Sequence, residues 1–165
     1  MGFLKKVSDG MEKFGLALAA FLVMVMFCLV FSGVILRVIG NSFSMSEELS
    51  RWCLISLCFI GGSVALKQKQ HIGVNMLLQS LPPAAAKIGV LISYIVVFLF
   101  LGFATVYSAI AAVASRDMTG DIIPVSMMYI KFSLPLGMFM MLVHLLNGFL
   151  GIAKAKDIQS ILIGS

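Results

Sequence analysis

Four charged side chains surround the start of one apolar segment and are the first candidates for a chemical role. Glu47 and Glu48 lie four and three residues before Arg51, so either acid can meet this arginine on a helix face. Two acids and one base leave an acid unbalanced, and Arg37, which closes the preceding apolar run, is the nearest further cation. Because charge at membrane depth is costly, a partly buried network that ties two helices together or holds a partner is one interpretation. The alternative is a solvated helix start, since exposed ion pairs contribute little.

The other reactive side chains form no recognisable catalytic or metal-binding pattern. Cys28, Cys53 and Cys58 lie in apolar runs, and their smallest separation, five residues, is not a metal or redox spacing. A four-helix haem protein would have to place both histidines, His71 and His144, on one iron. The lysines just before His71 favour a surface segment over a bundle core for it. We therefore predict a protein that is not an enzyme and holds no cofactor, with a haem-binding membrane electron carrier as the alternative.

The composition is that of an integral membrane protein. Of the 165 residues, 61% are hydrophobic and 12% are charged, and the mean hydropathy is +1.08. Four uncharged apolar runs, with their flanks, reach the roughly 20 residues that a helix needs to cross a bilayer. We predict an all-α membrane domain over residues 1–157 with spans at about 14–37, 46–66, 86–114 and 128–153, then a tail at 158–165. The first span is too long for a cleaved signal peptide, so we expect it to remain as an anchor.

A short amphipathic helix is predicted between the second and third spans. Apolar residues at positions 74, 77, 78 and 81 recur at the spacing of one helix face, and polar residues fall elsewhere. The segment at about 70–81 is too short to span a bilayer and ends at Pro82 and Pro83. We expect it to lie at the membrane interface.

Lysine and arginine are distributed unevenly between the two sides that these spans define. If the N-terminus is inside, the inner side carries Lys5, Lys6, Lys13, Lys67, Lys69, Lys87, Lys154 and Lys156, and the outer side carries Arg37, Arg51, Arg116 and Lys131. Eight against four predicts that both termini are cytoplasmic. The net charge of +5 then follows from membrane topology and requires no nucleic acid.

Small residues form one face of the second span, where Cys58, Gly61, Gly62 and Ala65 recur every three or four residues. Such a face permits the close approach of another helix. In the last span, Pro135 removes one helical hydrogen bond and is expected to kink the helix. A transporter that works alone would show internal repeats or broken helices around a midplane site, and neither is visible. The pattern favours an accessory subunit.

Several segments together resemble one known family. The stretches SEELSRW and FIGGSVALKQKQHIGVNMLLQSLP resemble the signature of the small membrane subunit, the DctQ-like subunit, of tripartite ATP-independent periplasmic (TRAP) transporters. Arg37 at the end of the first span and the stretch IIPVSMMYIKFSLPLG at the last helix also match the family pattern. Met45 and Asn75 depart from it, because many members have Trp and Asp there.

The resemblance implies a multi-pass subunit of a bacterial inner membrane that works with a large membrane subunit and a periplasmic substrate-binding protein. It also implies sodium-driven import of an organic acid such as sialic acid or a dicarboxylate, with the sodium and substrate sites on the large subunit. We expect large-subunit packing by Trp52, Cys58, Gly61, Gly62, Ala65, His71, Pro135 and Gly137. We expect binding-protein docking at Asn41, Ser42, Ser46, Arg116, Asp117 and Asp121.

Overall fold

A computed structural model describes residues 2–41, 43–68 and 83–154. This part of the chain contains the helices α1 (Gly2–Val38), α2 (Ser44–Lys67), α3 (Pro83–Ala114), α4 (Met127–Lys131) and α5 (Ser133–Lys154). Among these residues, four segments are long and apolar enough to cross a membrane: Leu4–Val38, Ser44–Lys67, Leu91–Ala114 and Met127–Phe149. The predicted all-α fold with four spans is confirmed. The interfacial helix predicted at about 70–81 lies outside the described residues.

The first helix is longer than the sequence indicated. We expected a surface segment before a span that begins near residue 14, but α1 is continuous from Gly2 to Val38. Its 37 residues correspond to about 55 Å at 1.5 Å per residue. This length exceeds the roughly 30 Å of a hydrocarbon core, so α1 extends beyond the membrane. Hydrogen bonds from three polar residues hold this extension against α5 and the end of α2: Ser8, Asp9 and Glu12. These bonds stabilise the helix there.

The first two spans form the antiparallel hairpin expected from their short connection. Asn41 N–H donates to the Leu36 carbonyl at 2.9 Å, and Gly40 N–H donates to the Arg37 carbonyl at 3.2 Å. This pair of bonds is a Schellman ending, and Gly40 supplies the left-handed backbone that it needs, with φ +85°. The turn at Gly40 and Asn41 therefore reverses the chain between α1 and α2.

The N-cap residue of α2 provides no side-chain cap. Neither Ser44 nor Ser46 caps the helix, and Phe43 occupies the N-cap position without a side-chain hydrogen bond. The Ser46 hydroxyl instead donates to the Phe43 carbonyl at 2.8 Å and is buried against α1. A Cβ at Gly33 would lie only 2.6 Å from Ser46 Oγ, so this glycine lets the two helices touch.

The four spans are arranged as a row. α2 packs against both α1 and α5, α3 packs against α5, and α1 also meets α5 through a smaller contact that includes Ser8 and His144. Buried apolar side chains are few and include Ile60, Val64, Leu101, Met140 and Leu145. Most large apolar side chains of the edge helices α1 and α3 are exposed. Both edges therefore present apolar surfaces suited to lipid or to another membrane protein.

The central contact, between α2 and α5, depends on close backbone approach. A Cβ at Gly137 would lie 2.7 to 2.8 Å from the backbone and Cβ of Phe59. Just before this contact, the last span is divided at Phe132 into α4 and α5. Pro135 lacks the N–H that would bond to the Lys131 carbonyl, and this accounts for the division near the predicted kink.

Replacing Gly137 with alanine is expected to destabilise the chain by about 1–3 kcal/mol, because the new Cβ would overlap backbone that cannot move aside. Thermal unfolding in mild detergent, followed by circular dichroism, measures this loss. Gly61→Ala is the matched control on the facing helix, since a Cβ there would meet only Leu57 of its own helix at 4.0 Å. Equal effects of the two substitutions would contradict the close contact.

Candidate functional site

The two adjacent acids of α2 point to different partners. We call the end of the bundle where α1 ends, α2 begins and residues 115–126 connect α3 to α4 the loop end. Successive residues of a helix are rotated by about 100°, so Glu47 and Glu48 diverge. Glu47 forms an ion pair with Arg37, and these side chains are 60% and 77% exposed. The pair joins the end of α1 to the start of α2, although its exposure limits its contribution to stability.

Glu48 is buried, with 5% of its surface exposed, and holds the loop between α3 and α4. Its Oε1 accepts the N–H of Asp121 at 2.7 Å, and its Oε2 accepts the N–H groups of Ile122 and Ile123 at 3.0 Å each. Hydrogen bonds to an ionised acceptor are stronger than neutral ones. One buried carboxylate thus satisfies three consecutive backbone donors and fixes the loop over the start of α2.

A glycine lets the loop approach this carboxylate. A Cβ at Gly120 would lie 2.6 Å from Glu48 Oε1, 2.6 Å from the Ile123 carbonyl oxygen and 2.8 Å from Trp52 Cζ2. Trp52 lies one helical turn after Glu48, so the acid and the indole border the same position. Any side chain at position 120 would displace the loop from both.

The loop has further hydrogen bonds of its own. Gly120 N–H donates to the Val125 carbonyl at 3.1 Å, and Met127 N–H donates to the Met118 carbonyl at 2.8 Å. The Ser126 hydroxyl donates to the Arg116 carbonyl at 2.7 Å and accepts the Met128 N–H, which caps α4. The loop is therefore an ordered surface whose shape is set by backbone bonds and by Glu48.

The opposite end of the bundle, which we call the terminal end, has a second polar group of contacts. Lys67 Nζ, at the end of α2, lies 2.6 Å from Asp9 Oδ1 and 2.8 Å from Glu12 Oε2 on α1. Gln68 Nε2 also donates to Glu12 Oε1 at 3.3 Å. The largely buried lysine has two carboxylates beside it, which offsets its desolvation.

His144 connects α5 to the same end of α1. Its Nδ1 lies 2.9 Å from the Ser8 hydroxyl, and both residues are buried. Among the described residues, its Nε2 has no hydrogen-bond partner. The haem alternative needed His71 as well, which lies outside the described residues.

Comparison with known proteins relates this architecture to one family. The family model described as "Tripartite ATP-independent periplasmic transporters, DctQ component" matches residues 26–155, which include Glu48, Trp52 and the whole loop between α3 and α4. The chain belongs to the DctQ family. It is thus a transporter component, a class that is not enzymatic, and the resemblance seen in the sequence is confirmed at the level of the family.

A curated relative of this DctQ-family chain comes from Haemophilus influenzae and is provisionally named as a TRAP transporter small permease protein. It is 45% identical over 56 residues, which cover 33% of this chain and 35% of the relative. The chain therefore spans about a third of the length of the curated relative that it matches.

The structure divides the four-residue cluster that the DctQ-like signature contains. Arg37 and Glu47 meet, whereas Glu48 faces the loop and Arg51 is exposed on α2. Among the described residues, these four side chains therefore do not share one set of direct contacts, and Arg37 with Glu47 is the pair that joins α1 to α2. A count of charged side chains misses the backbone N–H groups that satisfy Glu48. The same reasoning missed the role of Gly120 in the contact with Glu48. In the sequence, this glycine shows only the character of a turn residue in a polar loop.

Part of the set expected to pack against a large subunit is used inside this chain. Gly137 contacts Phe59, and Pro135 is buried. A Cβ at Gly62 would lie 2.9 Å from Met141 Cε, so α5 covers that glycine too. Gly62 of α2 and Gly137 of α5 are therefore corrected to internal packing, because each faces the other helix, and Pro135 is buried within the chain. Of the others, Trp52 borders the loop, Cys58 is exposed, Gly61 and Ala65 are half-buried, and His71 lies outside the described residues.

Most of the residues expected at a docking surface are exposed at the loop end. Asn41, Arg116, Asp117 and Asp121 are all exposed there. Ser46 is buried between α1 and α2, so its inclusion was wrong. Ser42 lies outside the described residues.

Replacing Glu48 with glutamine is expected to loosen the loop while keeping the size of the side chain. The new amide NH2 would face N–H donors, so at least one of the three bonds is lost. Hydrogen exchange at the amides of residues 121–123 should accelerate roughly tenfold, the effect of losing one charge-assisted bond. The emission of Trp52, the sole tryptophan of the chain, should change with it.

Glu47→Gln is the matched control, because it removes an adjacent carboxylate that is exposed and does not contact the loop. It should leave exchange at residues 121–123 unchanged. Identical exchange in both variants would show that Glu48 does not hold the loop.

Proposed function

We propose that this small permease subunit is a fixed scaffold, packed beside a large membrane subunit, with a periplasmic substrate-binding protein docking at its loop end. The observation that carries the proposal is the row of spans with apolar edges and a polar loop locked across one end. Helices in a row expose long apolar faces that can pack against a neighbouring membrane protein, whereas a closed bundle would bury much of its apolar surface in its own interior.

The polar contacts of the described residues support a scaffold rather than a carrier. Glu48 is occupied by three backbone N–H groups, and Lys67 is occupied by Asp9 and Glu12. These charged groups already stabilise the fold. We therefore assign sodium and substrate to the large subunit, and we propose sodium-coupled import of an organic acid such as sialic acid or a dicarboxylate.

The proposed orientation in the bacterial inner membrane places the loop end in the periplasm and both chain termini in the cytoplasm. The excess of lysine at the terminal end supports it, because cytoplasmic segments are enriched in Lys and Arg. A binding protein released into the periplasm would then meet the ordered loop and the turn between α1 and α2. Arg116, Asp117 and Asp121 supply charges there without engaging them in the ion pairs described above.

Co-expression of a tagged copy with a candidate large subunit from the same organism is expected to yield a one-to-one complex in mild detergent. Reconstituted in liposomes, the complex should import substrate only with a sodium gradient and with the binding protein present. Omitting each component in turn measures its contribution. If this chain purifies alone and its omission leaves uptake unchanged, the scaffold proposal fails.

Charge reversal at the loop end is expected to weaken docking while the membrane complex stays intact. The double change Arg116→Glu and Asp117→Lys preserves net charge but inverts its pattern, so the Michaelis constant for the binding protein should rise severalfold, as for charged interface rims. Uptake titrated with binding protein measures the change. Lys13→Glu, at an exposed position on the terminal end, is the control and should leave the titration unaltered. Unaltered uptake in the double variant would remove the loop from the docking surface.

A further inference from the structure

Arg51 is an exposed cation on a membrane-spanning helix, and no described residue forms a hydrogen bond or an ion pair with it. The acids beside it on α2 are engaged elsewhere, since Glu47 pairs with Arg37 and Glu48 accepts three backbone N–H groups. Glu48 attracts Arg51 through space without bonding to it. The N–H donors of the guanidinium therefore have no acceptor within the described part of the chain.

The position of Arg51 along α2 places it below the membrane surface. The 24 residues of α2 correspond to about 36 Å, roughly 6 Å more than the thickness of a hydrocarbon core. With α2 centred in the core, the boundary lies about 3 Å from its first residue, whereas Arg51 lies about 10 Å from that residue. A charge roughly 7 Å inside hydrocarbon is costly unless an anion meets it there.

Arg51 belongs to a face of α2 that α1 and α5 leave open. This face, which we call the open face of α2, consists of Glu47, Arg51, Leu54, Cys58, Gly61 and Ala65. The first four are exposed and the last two are half-buried. Successive members are separated alternately by four and three residues, which is the 3.5-residue period of helices that pack side by side at about 20°. The spacing therefore suits one further helix lying along α2.

The side chains of the open face differ from those that the edge helix α1 exposes. Large apolar side chains, among them Phe21 and Phe27, cover the exposed surface of α1. On the open face, Leu54 is the large apolar member, and the three members that follow it are small. A Cβ at Gly61 would meet only Leu57 of its own helix, at 4.0 Å, so space remains against this face. Small residues are typical of helix contacts in membranes because they let backbones approach.

We propose that the open face of α2 receives one transmembrane helix of the large subunit, and that this helix carries an acidic side chain at the level of Arg51. The proposal rests on the scaffold function given above and selects the flat side of the row, at α2, as the contact surface. A carboxylate on a helix packed along this face lies at the depth of Arg51, whereas lipid phosphates lie at the membrane surface. Because a guanidinium binds a carboxylate with two parallel bonds, the pair would also fix the height of the partner helix.

Photo-crosslinking in cells that express the whole transporter tests the contact surface. Benzoylphenylalanine, a photo-crosslinking amino acid, replaces Leu54 on the open face or, as the control, Phe31 on α1. Both side chains are exposed, and they lie seven and six residues from Glu47 and Arg37, which pair with each other, so their depths agree within about 2 Å. Phe31 points away from α2, because it is two residues from Gly33, which touches α2.

Adducts with the large subunit are expected at position 54, and adducts with lipid at position 31. Lipid adducts at position 54, or large-subunit adducts at position 31 alone, would overturn the proposed contact surface. If the large subunit still co-purifies in that case, the scaffold function stands without this surface. If it neither crosslinks nor co-purifies, both proposals fail.

Removing the charge tests the predicted acid. Arg51→Gln should raise the dissociation constant of the complex, measured by dilution in mild detergent, roughly thirtyfold, the effect of removing one member of a buried charge pair. Its thermal unfolding as an isolated chain should be unchanged, since Arg51 forms no bond within the described chain. Arg37→Gln is the control, because this cation already pairs with Glu47, and it should leave the dissociation constant unaltered. Equal dissociation constants for Arg51→Gln and the unmodified chain would show that lipid or water meets this cation, and would overturn the proposal.

Discussion

The buried carboxylate of Glu48 links parts of the chain that helix packing alone leaves unconnected. Glu48 lies on α2, in the interior of the row. Its carboxylate accepts hydrogen bonds from the backbone between α3 and α4, about 73 residues further along the chain. If these hydrogen bonds broke, the buried carboxylate and three consecutive N–H groups would lose their partners together. The cost of leaving these polar groups unpaired therefore keeps the loop in place. The absence of a side chain at Gly120 lets the loop approach, because the indole of Trp52 and Glu48 itself leave no room for a Cβ there.

The two ends of the bundle use polar contacts, whereas the middle depends on shape. At the terminal end, Lys67 and its two carboxylates join α2 to α1, and His144 with Ser8 joins α5 to α1. Between the ends, glycines such as Gly137 bring backbones close together. This division is expected in a bilayer, where lipid tails are as apolar as the side chains and burial by itself supplies little association energy.

The same division supports the proposed scaffold role. Glu48 and Lys67 are engaged in holding helices and loop together, and the apolar edges remain exposed. Membership of the DctQ family and this architecture are the basis on which we propose a scaffold within a larger assembly.

The amino-acid sequence by itself determined the number and type of the spans, the turn at Gly40 and the break near Pro135, because hydrophobic length, glycine and proline act locally. It also contained the signature that indicated the family. Only the tertiary structure decided that Glu48 binds a distant loop while its neighbour Glu47 does not. It also decided that Ser46 is buried and that Gly62 and Gly137 form part of the α2–α5 contact. Those outcomes depend on which helix faces approach one another, and on backbone N–H groups, which every residue except proline carries and no side-chain pattern reveals.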